Sequence, residues 1–587
     1  QYNKRLGRYR IMGGICGIYG EANNKVISSM LQAIRHRGPD DFETMVTDKH
    51  SFGASRLTLV SGQNGRQPAK SGNNSLIVLF NGEIYNYRQL NASLANPLAE
   101  DVSEVELIGA LYRQHGLEAF SMLQGMFAIA ILDYDRLILA RDGFGIKPLF
   151  YSQVGNILVF ASEIKSLLQY PGMEIEINET ALEETAVFGF IYTPEITPFK
   201  GIYQVEPGTV ITNKSNSLSK SIFYRLPKAF SVNEDPSHFS ASVDYLKEKM
   251  FRTMEVLMGH GKDEKGVYLS GGVDSSLMAV IASEVADNSI YTFTMHDSTA
   301  SEDFMAARKI AKAIGSRHIE FQVNENDYFN ELPSYIYHYE NFFAGGVFDI
   351  HGGIAFHMLC KRVADYVRIA FSGEGADELF GGYYWSHTHP LGLSDRIRES
   401  HRLFGASDYI KELVSRIFPC PEDEETYRLN VFDLLMGSGL FNYHLWSVDR
   451  SSSAFGFEIR PPYLYNELAE FALNLPVEYK VLKKETKIIL KAVAERIFEK
   501  YRLSDIPLRP KLGMPAAVQG AKKHIENFAK QVAESRIISH HRFAKYLKSP
   551  MEILGFDLFH WIFVEQRGKL PEGFDLKEFY KERKCPY

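Results

Sequence analysis

The stretch Leu269-Ser270-Gly271-Gly272-Val273-Asp274-Ser275-Ser276 has the residue types of an anion cradle. The apolar run Gly266-Val267-Tyr268-Leu269 suits a buried strand, and Leu277 to Ala282 begins a helical pattern. Gly271 and Gly272 let the backbone approach an anion, while unpaired N–H groups and the dipole at the helix start favour negative charge there. Ser270, Ser275 and Ser276 add hydroxyl donors. Asp274 would repel a bare phosphate, so its presence implies a metal ion between the two. No Gly-Lys-Ser/Thr closes the loop, which separates it from the Walker arrangement. A second loop, Ser372-Gly373-Glu374-Gly375-Ala376-Asp377-Glu378, follows the run 367–371 in the same way. Glu374 and Asp377 bring carboxylates to the same anion, and Asp274 with Asp377 is the expected Mg2+ pair.

These loops need strands to aim them. Runs at 266–269, 290–295, 318–321 and 367–371 alternate with helical patterns, one opening at Glu302 with Phe304, Ala307, Ile310, Ala311 and Ile314 on one face. That alternation predicts a parallel sheet with its ligand crevice at the carboxyl ends of the strands.

The first half carries different chemistry. Cys16 lies in the strand-like run Ile15–Gly20, ahead of Arg35-His36-Arg37-Gly38-Pro39-Asp40. Asn81 and Gly82, expected on a loop after a strand at 76–79, can offer an amide and a backbone N–H to a developing oxyanion. Arg56 can clamp a carboxylate. Apolar segments at 124–133, 137–141, 148–152 and 157–163 alternate as in an antiparallel sheet.

Taken in order, these motifs resemble the glutamine-hydrolysing asparagine synthetase family: a class II glutamine amidotransferase domain followed by an ATP-pyrophosphatase-type synthetase domain. The likeness continues in Gln124–Ala128, Ala140-Arg141-Asp142, Asp449-Arg450, Gly456–Arg460 and Arg509–Pro515. It implies a two-domain α/β fold, an N-terminal nucleophile-type αββα sandwich and then a helix-rich parallel-sheet ATP-pyrophosphatase domain. Its implied boundaries are 1–11 as a basic leader or tail, 12–212 amidotransferase-like, 213–237 linker and 238–587 synthetase. It makes Cys16 the thiol nucleophile, Asn81 and Gly82 the oxyanion hole, and Arg56, Asn81, Glu83 and Glu104 the glutamine-binding set. Leu269, Ser270, Gly271, Gly272, Asp274, Ser275, Ser276, Thr294, Ser372, Gly373 and Glu374 become ATP-binding, with Lys487 stabilising the acyl-adenylate.

The chain departs from the family in four places. The family's cysteine comes first because its α-amino group is the base for the thiol, yet Cys16 is internal, and even a start at Met12 leaves Gly13-Gly14-Ile15 ahead of it. Val102-Ser103-Glu104 stands where the family has Gly-Ser-Asp, and Tyr465 where it has Asp. Between Glu340 and Ser372 the pattern is interrupted by Ala344-Gly345-Gly346 and His351-Gly352-Gly353. Asp449 and Arg460 either frame an acceptor pocket or form a structural ion pair.

Three functions fit. The first is ATP-dependent adenylation of a carboxylate, aspartate by resemblance, and amidation with ammonia from glutamine. The second keeps the ATP half but uses a substrate amine, as in β-lactam synthetases and lasso-peptide cyclases, with an inactive glutaminase. The third is a non-enzymatic binding relic. The 587 residues suggest two large domains, and a net charge of -7 provides no footprint for nucleic acid. No apolar run is long enough for a membrane span. Four dispersed cysteines fit a reducing cytoplasm. Small-molecule substrates are the expected partners, and a homodimer is compatible with the sequence.

Overall fold

A computed structural model describes residues 11–58, 66–71, 76–99, 102–214, 217–227, 238–259, 264–342, 350–383, 397, 406–419, 424–509, 513–534 and 542–583. The leader at 1–10, part of the linker, residues 344–346, residues 510–512, Cys420 and Cys585 lie outside them.

Among its described residues the first half contains twelve strands: β1 (Ile11–Tyr19), β2 (Asp41–Val46), β3 (His50–Thr58), β4 (Ala69–Ser71), β5 (Leu76–Ile84), β6 (Gly125–Asp133), β7 (Arg136–Arg141), β8 (Phe150–Val154), β9 (Ile157–Ala161), β10 (Ile202–Gln204), β11 (Thr209–Lys214) and β12 (Ser217–Ile222). They make two six-stranded sheets, ordered β10-β8-β9-β1-β3-β2 and β12-β11-β7-β6-β5-β4. Ile15, Phe52, Ile77, Leu79, Ala128, Ala130 and Phe160 fill the space between the sheets. Cys16 and Ile18 face the other way, against Val26, Ile27, Met30 and Leu31 of helix Asn24–Ala33. Val78 and Phe80 pack on Val105, Ile108 and Leu111 of helix Glu104–His115. Because side chains alternate with period two, each strand feeds both layers, and the result is an αββα sandwich.

The second half is built on β13 (Lys265–Tyr268), β14 (Tyr291–His296), β15 (Arg317–Gln322), β16 (Ile369–Phe371) and β17 (Glu458–Arg460). They form a parallel sheet ordered β15-β14-β13-β16-β17. From β13 the chain winds outward through β14 and β15, then returns to β16 on the opposite side. The switch point therefore lies between β13 and β16, and both glycine-bearing loops leave from it.

The halves meet on buried charge. The Arg37 guanidinium donates two hydrogen bonds to Asp449, at 2.8 and 3.0 Å, and a third to Glu163 at 2.8 Å. Lys165 pairs with Glu340 at 3.0 Å and Arg450 with Glu340 at 3.1 Å. The Ile164 and Lys165 N–H groups also donate to Glu340. Burial alone would raise the Asp449 carboxyl, but Arg37, Lys147 and Arg450 hold it below the usual range. Asp449 and Arg460 are thus structural ion-pair partners, each with other residues: Arg460 pairs with Glu83 and Glu458.

Beside this network His36 meets His338 edge-on at 4.6 Å, and His338 lies 5.6 Å from His357. Burial pushes all three imidazoles down, His357 to about 3. The unfolded chain takes up these protons near the ordinary value of about 6.5. Stability is therefore full above that pH and falls as the pH drops toward the folded values, by up to about 1.4 kcal/mol per unit for each histidine. Urea unfolding of His357→Gln should lose less stability than the native chain between pH 7 and pH 5. Asp449→Ala, which leaves Arg37 without its bidentate partner, should cost about 3–5 kcal/mol in the same assay.

Candidate active site

At the switch point, Gly271 turns the chain with φ +82°, and a Cβ there would lie 2.4 Å from the Asp303 carbonyl oxygen. Only glycine meets both demands without strain. Gly272 caps helix Val273–Val285, so that helix's first N–H groups open on the crevice. The Ser270 N–H donates to Ser275 Oγ at 3.1 Å. Leu269 is buried, its N–H bonded to the Phe293 carbonyl at 2.9 Å, and Thr294 Oγ1 donates to the Leu269 carbonyl. Thr294 thus braces the loop from β14. Ser276 corrects the expectation: it is buried and donates its hydroxyl to the Gly272 carbonyl at 2.6 Å, so its proton is committed to the helix start.

The second loop packs directly on the first, since a Cβ at Gly373 would sit 3.3 Å from Asp274 Cβ. Ser372 Oγ is a buried hydroxyl with no hydrogen-bond partner, a donor suited to a phosphate oxygen. Lys487 donates to Asp274 and, at 2.6 Å, to Asp377. It sits at the cap of helix Ile488–Phe498, with φ +56°. A left-handed lysine costs about 1–3 kcal/mol and persists where the surroundings over-determine it. Here its N–H bonds the Phe380 carbonyl at 3.1 Å.

The donor set fits Mg2+. Asp274 and Asp377 converge on one cation, and Asp274 Oδ1 is a buried oxygen with no hydrogen-bond partner. Among the described residues no cluster of three or more His, Cys, Asp or Glu could hold an ion. A pair of carboxylates suits an ion that arrives with phosphate oxygens.

Glu374 turns toward a group that the sequence reading missed. His444 Nδ1 lies 3.5 Å from Glu374 and its Nε2 3.4 Å from Glu378, while Tyr383 Oη lies 2.8 Å from Nε2 and donates to Glu378 at 2.6 Å. His444 belongs to a π-helical stretch, Leu435–Leu445, with a kink at Gly437. Such stretches concentrate at functional sites, but a π-bulge leaves no mark in apolar periodicity.

The amidotransferase half departs from expectation. Asn81 and Gly82 lie within β5, not on a loop, paired with Ala128 and Phe127. Asn81 faces the inter-sheet space, with a buried Nδ2 that has no hydrogen-bond partner and an Oδ1 that accepts from the Gly13 N–H at 3.4 Å. Gly13, paired across from Arg56, is therefore the β1 residue beside the expected oxyanion hole and clamp. Cys16, three residues on, must face the opposite side of the strand. It sits among helix-layer residues with no exposure, hydrogen-bonded to Ser166, and burial pushes its thiol well above the ordinary range. A thiol so placed is an inert core group, which corrects the expected nucleophile. The sequence signal was present in Met12-Gly13-Gly14-Ile15, where a two-glycine run hid the register.

Two of the expected glutamine ligands have protein partners. The Glu83 carboxylate is neutralised by Arg460 from β17, not presented to an amino acid. Glu104 is buried at the start of its helix and accepts from the Ile84 N–H at 2.8 Å.

Residues 12–224 match the glutamine amidotransferase domain model, and residues 257–552 match the asparagine synthase model. Asparagine synthetase [glutamine-hydrolyzing] 1 of Bacillus subtilis is 28% identical over 572 residues, covering 86% of this chain and 87% of its own. Asparagine synthetase [glutamine-hydrolyzing] 2 of Arabidopsis thaliana is 28% identical over 514 residues, covering 83% and 75%. Among solved structures, glutamine phosphoribosylpyrophosphate amidotransferase from B. subtilis aligns over 53% of this chain and 91% of its own, with 15% identity and a TM-score of 0.29.

A Cβ at Gly382 would fall 1.8 Å from Asp377 Oδ1 and 2.1 Å from Lys487 Cε. Gly382→Ala should therefore displace the lysine–carboxylate triad. It should lower ATP-dependent turnover about 100-fold or more, on the order of removing one preorganised charge contact.

Proposed function

The chain belongs to the asparagine synthase family of carbon–nitrogen ligases, and on that premise we propose that it adenylates a carboxylate with ATP and couples it to a nitrogen nucleophile. The observation that carries this is the Asp274–Lys487–Asp377 triad between two strand-end loops. The loop at 270–275 and Ser372 hold the pyrophosphate and orient the α-phosphorus toward the carboxylate oxygen. Lys487, held between its aspartates, offsets charge on the acyl-adenylate. Asp274 and Asp377 would hold Mg2+, which when bound supplies neutralising charge at the phosphates. Aspartate is the first acceptor to test, because the relatives are named asparagine synthetases. The substrates are small molecules in a reducing cytoplasm, and no described helix is long and apolar enough to cross a membrane. The domains act as a sandwich over 12–212 and a synthetase over 238–587.

For the nitrogen, the relatives' names point to glutamine. A second reading, an ammonia or amine donor supplied directly, draws support from Gly13, which has no side chain, at the place beside Asn81. Cys16, turned into the helix layer, supports the same reading.

With ATP, aspartate and ammonium chloride, AMP and pyrophosphate should appear in equal amounts, and Asp274→Ala should abolish them. ADP and orthophosphate as products would refute adenylation. Cys16→Ala should leave amide formation unchanged with either nitrogen source. A glutamine-dependent rate lost in that variant would restore the thiol's role.

A further inference from the structure

We infer that Tyr463 is a positioning residue for the adenylating function proposed above, on which the inference rests: its hydroxyl holds the Asp274 main chain and so aims the Asp274 carboxylate at Lys487. Tyr463 lies in the short turn Pro462–Leu464 that follows β17, with none of its surface exposed. A phenol buried so completely needs a partner for its O–H. Tyr463 Oη donates to the Asp274 carbonyl at 3.2 Å. Burial, with the Asp274 charge nearby, holds the phenol well above its ordinary range, so the proton stays available for that bond. Asp274 is thereby held at both ends. Its carboxylate meets Lys487, and its carbonyl meets Tyr463.

The same side chain reaches the other two members of the triad through Phe380. The Tyr463 and Phe380 rings meet edge-on, with centroids 6.2 Å apart. Phe380 ends the short helix Ala376–Phe380 that carries Asp377, and its carbonyl accepts from the Lys487 N–H at 3.1 Å. Before that helix Gly375 turns the chain with φ +89°, and a Cβ there would lie 3.5 Å from Tyr463 Cβ and 2.5 Å from Leu464 Cδ2. The turn therefore packs closely on the second loop. One residue thus touches the helix start that bears Asp274, the helix that bears Asp377 and the ring whose main chain holds Lys487. The Asp274 carbonyl does not need this bond to be satisfied. In the first turn of helix Val273–Val285 it accepts from the N–H four residues on, and a carbonyl oxygen has two lone pairs. Removing the phenol O–H leaves no buried acceptor unpaired, so its loss reads out in the site rather than in the fold.

The test uses the full chain and ATP in excess MgCl2, with no carboxylate present. Affinity is read from the rise in melting temperature with ATP concentration, which reports binding to the folded state. Tyr463→Phe should weaken ATP binding about fivefold to tenfold, the size of one hydrogen bond. Its urea midpoint without ATP should stay at the native value. In an Asp274→Asn background, where no charge is left to aim, adding Tyr463→Phe should change affinity by less than about twofold. Native affinity in Tyr463→Phe overturns the assignment, and so does an equal loss in both backgrounds. A urea midpoint that falls along with the affinity makes the hydroxyl a support of the fold and overturns it too. A native chain that binds ATP but forms no AMP and pyrophosphate with any of an amino-acid and peptide carboxylate panel overturns the adenylating function. The comparison of the two backgrounds then still decides the role of Tyr463 in nucleotide binding. A native chain whose melting temperature ATP does not move overturns both.

Discussion

The contact between Arg37 and Asp449 is the constraint on which the arrangement of this molecule depends. Two parallel hydrogen bonds join a guanidinium from the sandwich to a carboxylate from the synthetase half, in a place that water does not reach. Buried charge is tolerated only when each group is matched. Glu163, Lys165, Glu340 and Arg450 complete the match, and the Ile164 and Lys165 N–H groups occupy both oxygens of Glu340. Directional pairs of this kind define one register between the halves, which an apolar contact of equal area would not.

That register has a consequence for β17. Arg460 leaves the parallel sheet and ends on Glu83, at the tip of the sandwich strand that carries Asn81 and Gly82. The amidotransferase half is therefore wired to the strand neighbouring the ATP crevice. The same carboxylate that resemblance assigns to glutamine is part of the interface. Gly13 stands beside Asn81, while Cys16 faces the helix layer on the other side of the same strand.

The crevice follows a different logic. Asp274, Asp377 and Lys487 arrive from three separate elements and meet because Gly382 and Gly373 carry no side chain where the loops touch. The lysine's left-handed backbone is held by its bond to Phe380 and by its two ion pairs. Strain stored at one residue and offset by several contacts is the signature of a site selected for geometry over stability.

The two-half organisation, the parallel sheet and both strand-end loops could be read from the chain because they rest on local rules. Apolar runs of strand length, helical periodicity from Glu302, and glycines at the turns report short-range physics. Residue types that must converge, such as Asp274 and Asp377, were legible for the same reason. What depends on packing was not. A one-residue uncertainty of register decides which face of a strand a side chain occupies, so the fate of Cys16 and the place of Gly13 waited for the pairing of β1 with β3. The pairs Arg460–Glu83 and Arg37–Asp449 join residues hundreds of positions apart in sequence. The cluster of His444, Glu374, Glu378 and Tyr383 joins a π-helical stretch to the loop after β16 and the residues that follow it. Sequence determined which chemistry the chain carries, since residue type and local spacing set that. Tertiary structure decided which of those groups meet, since only the folded backbone brings distant charges into one buried volume.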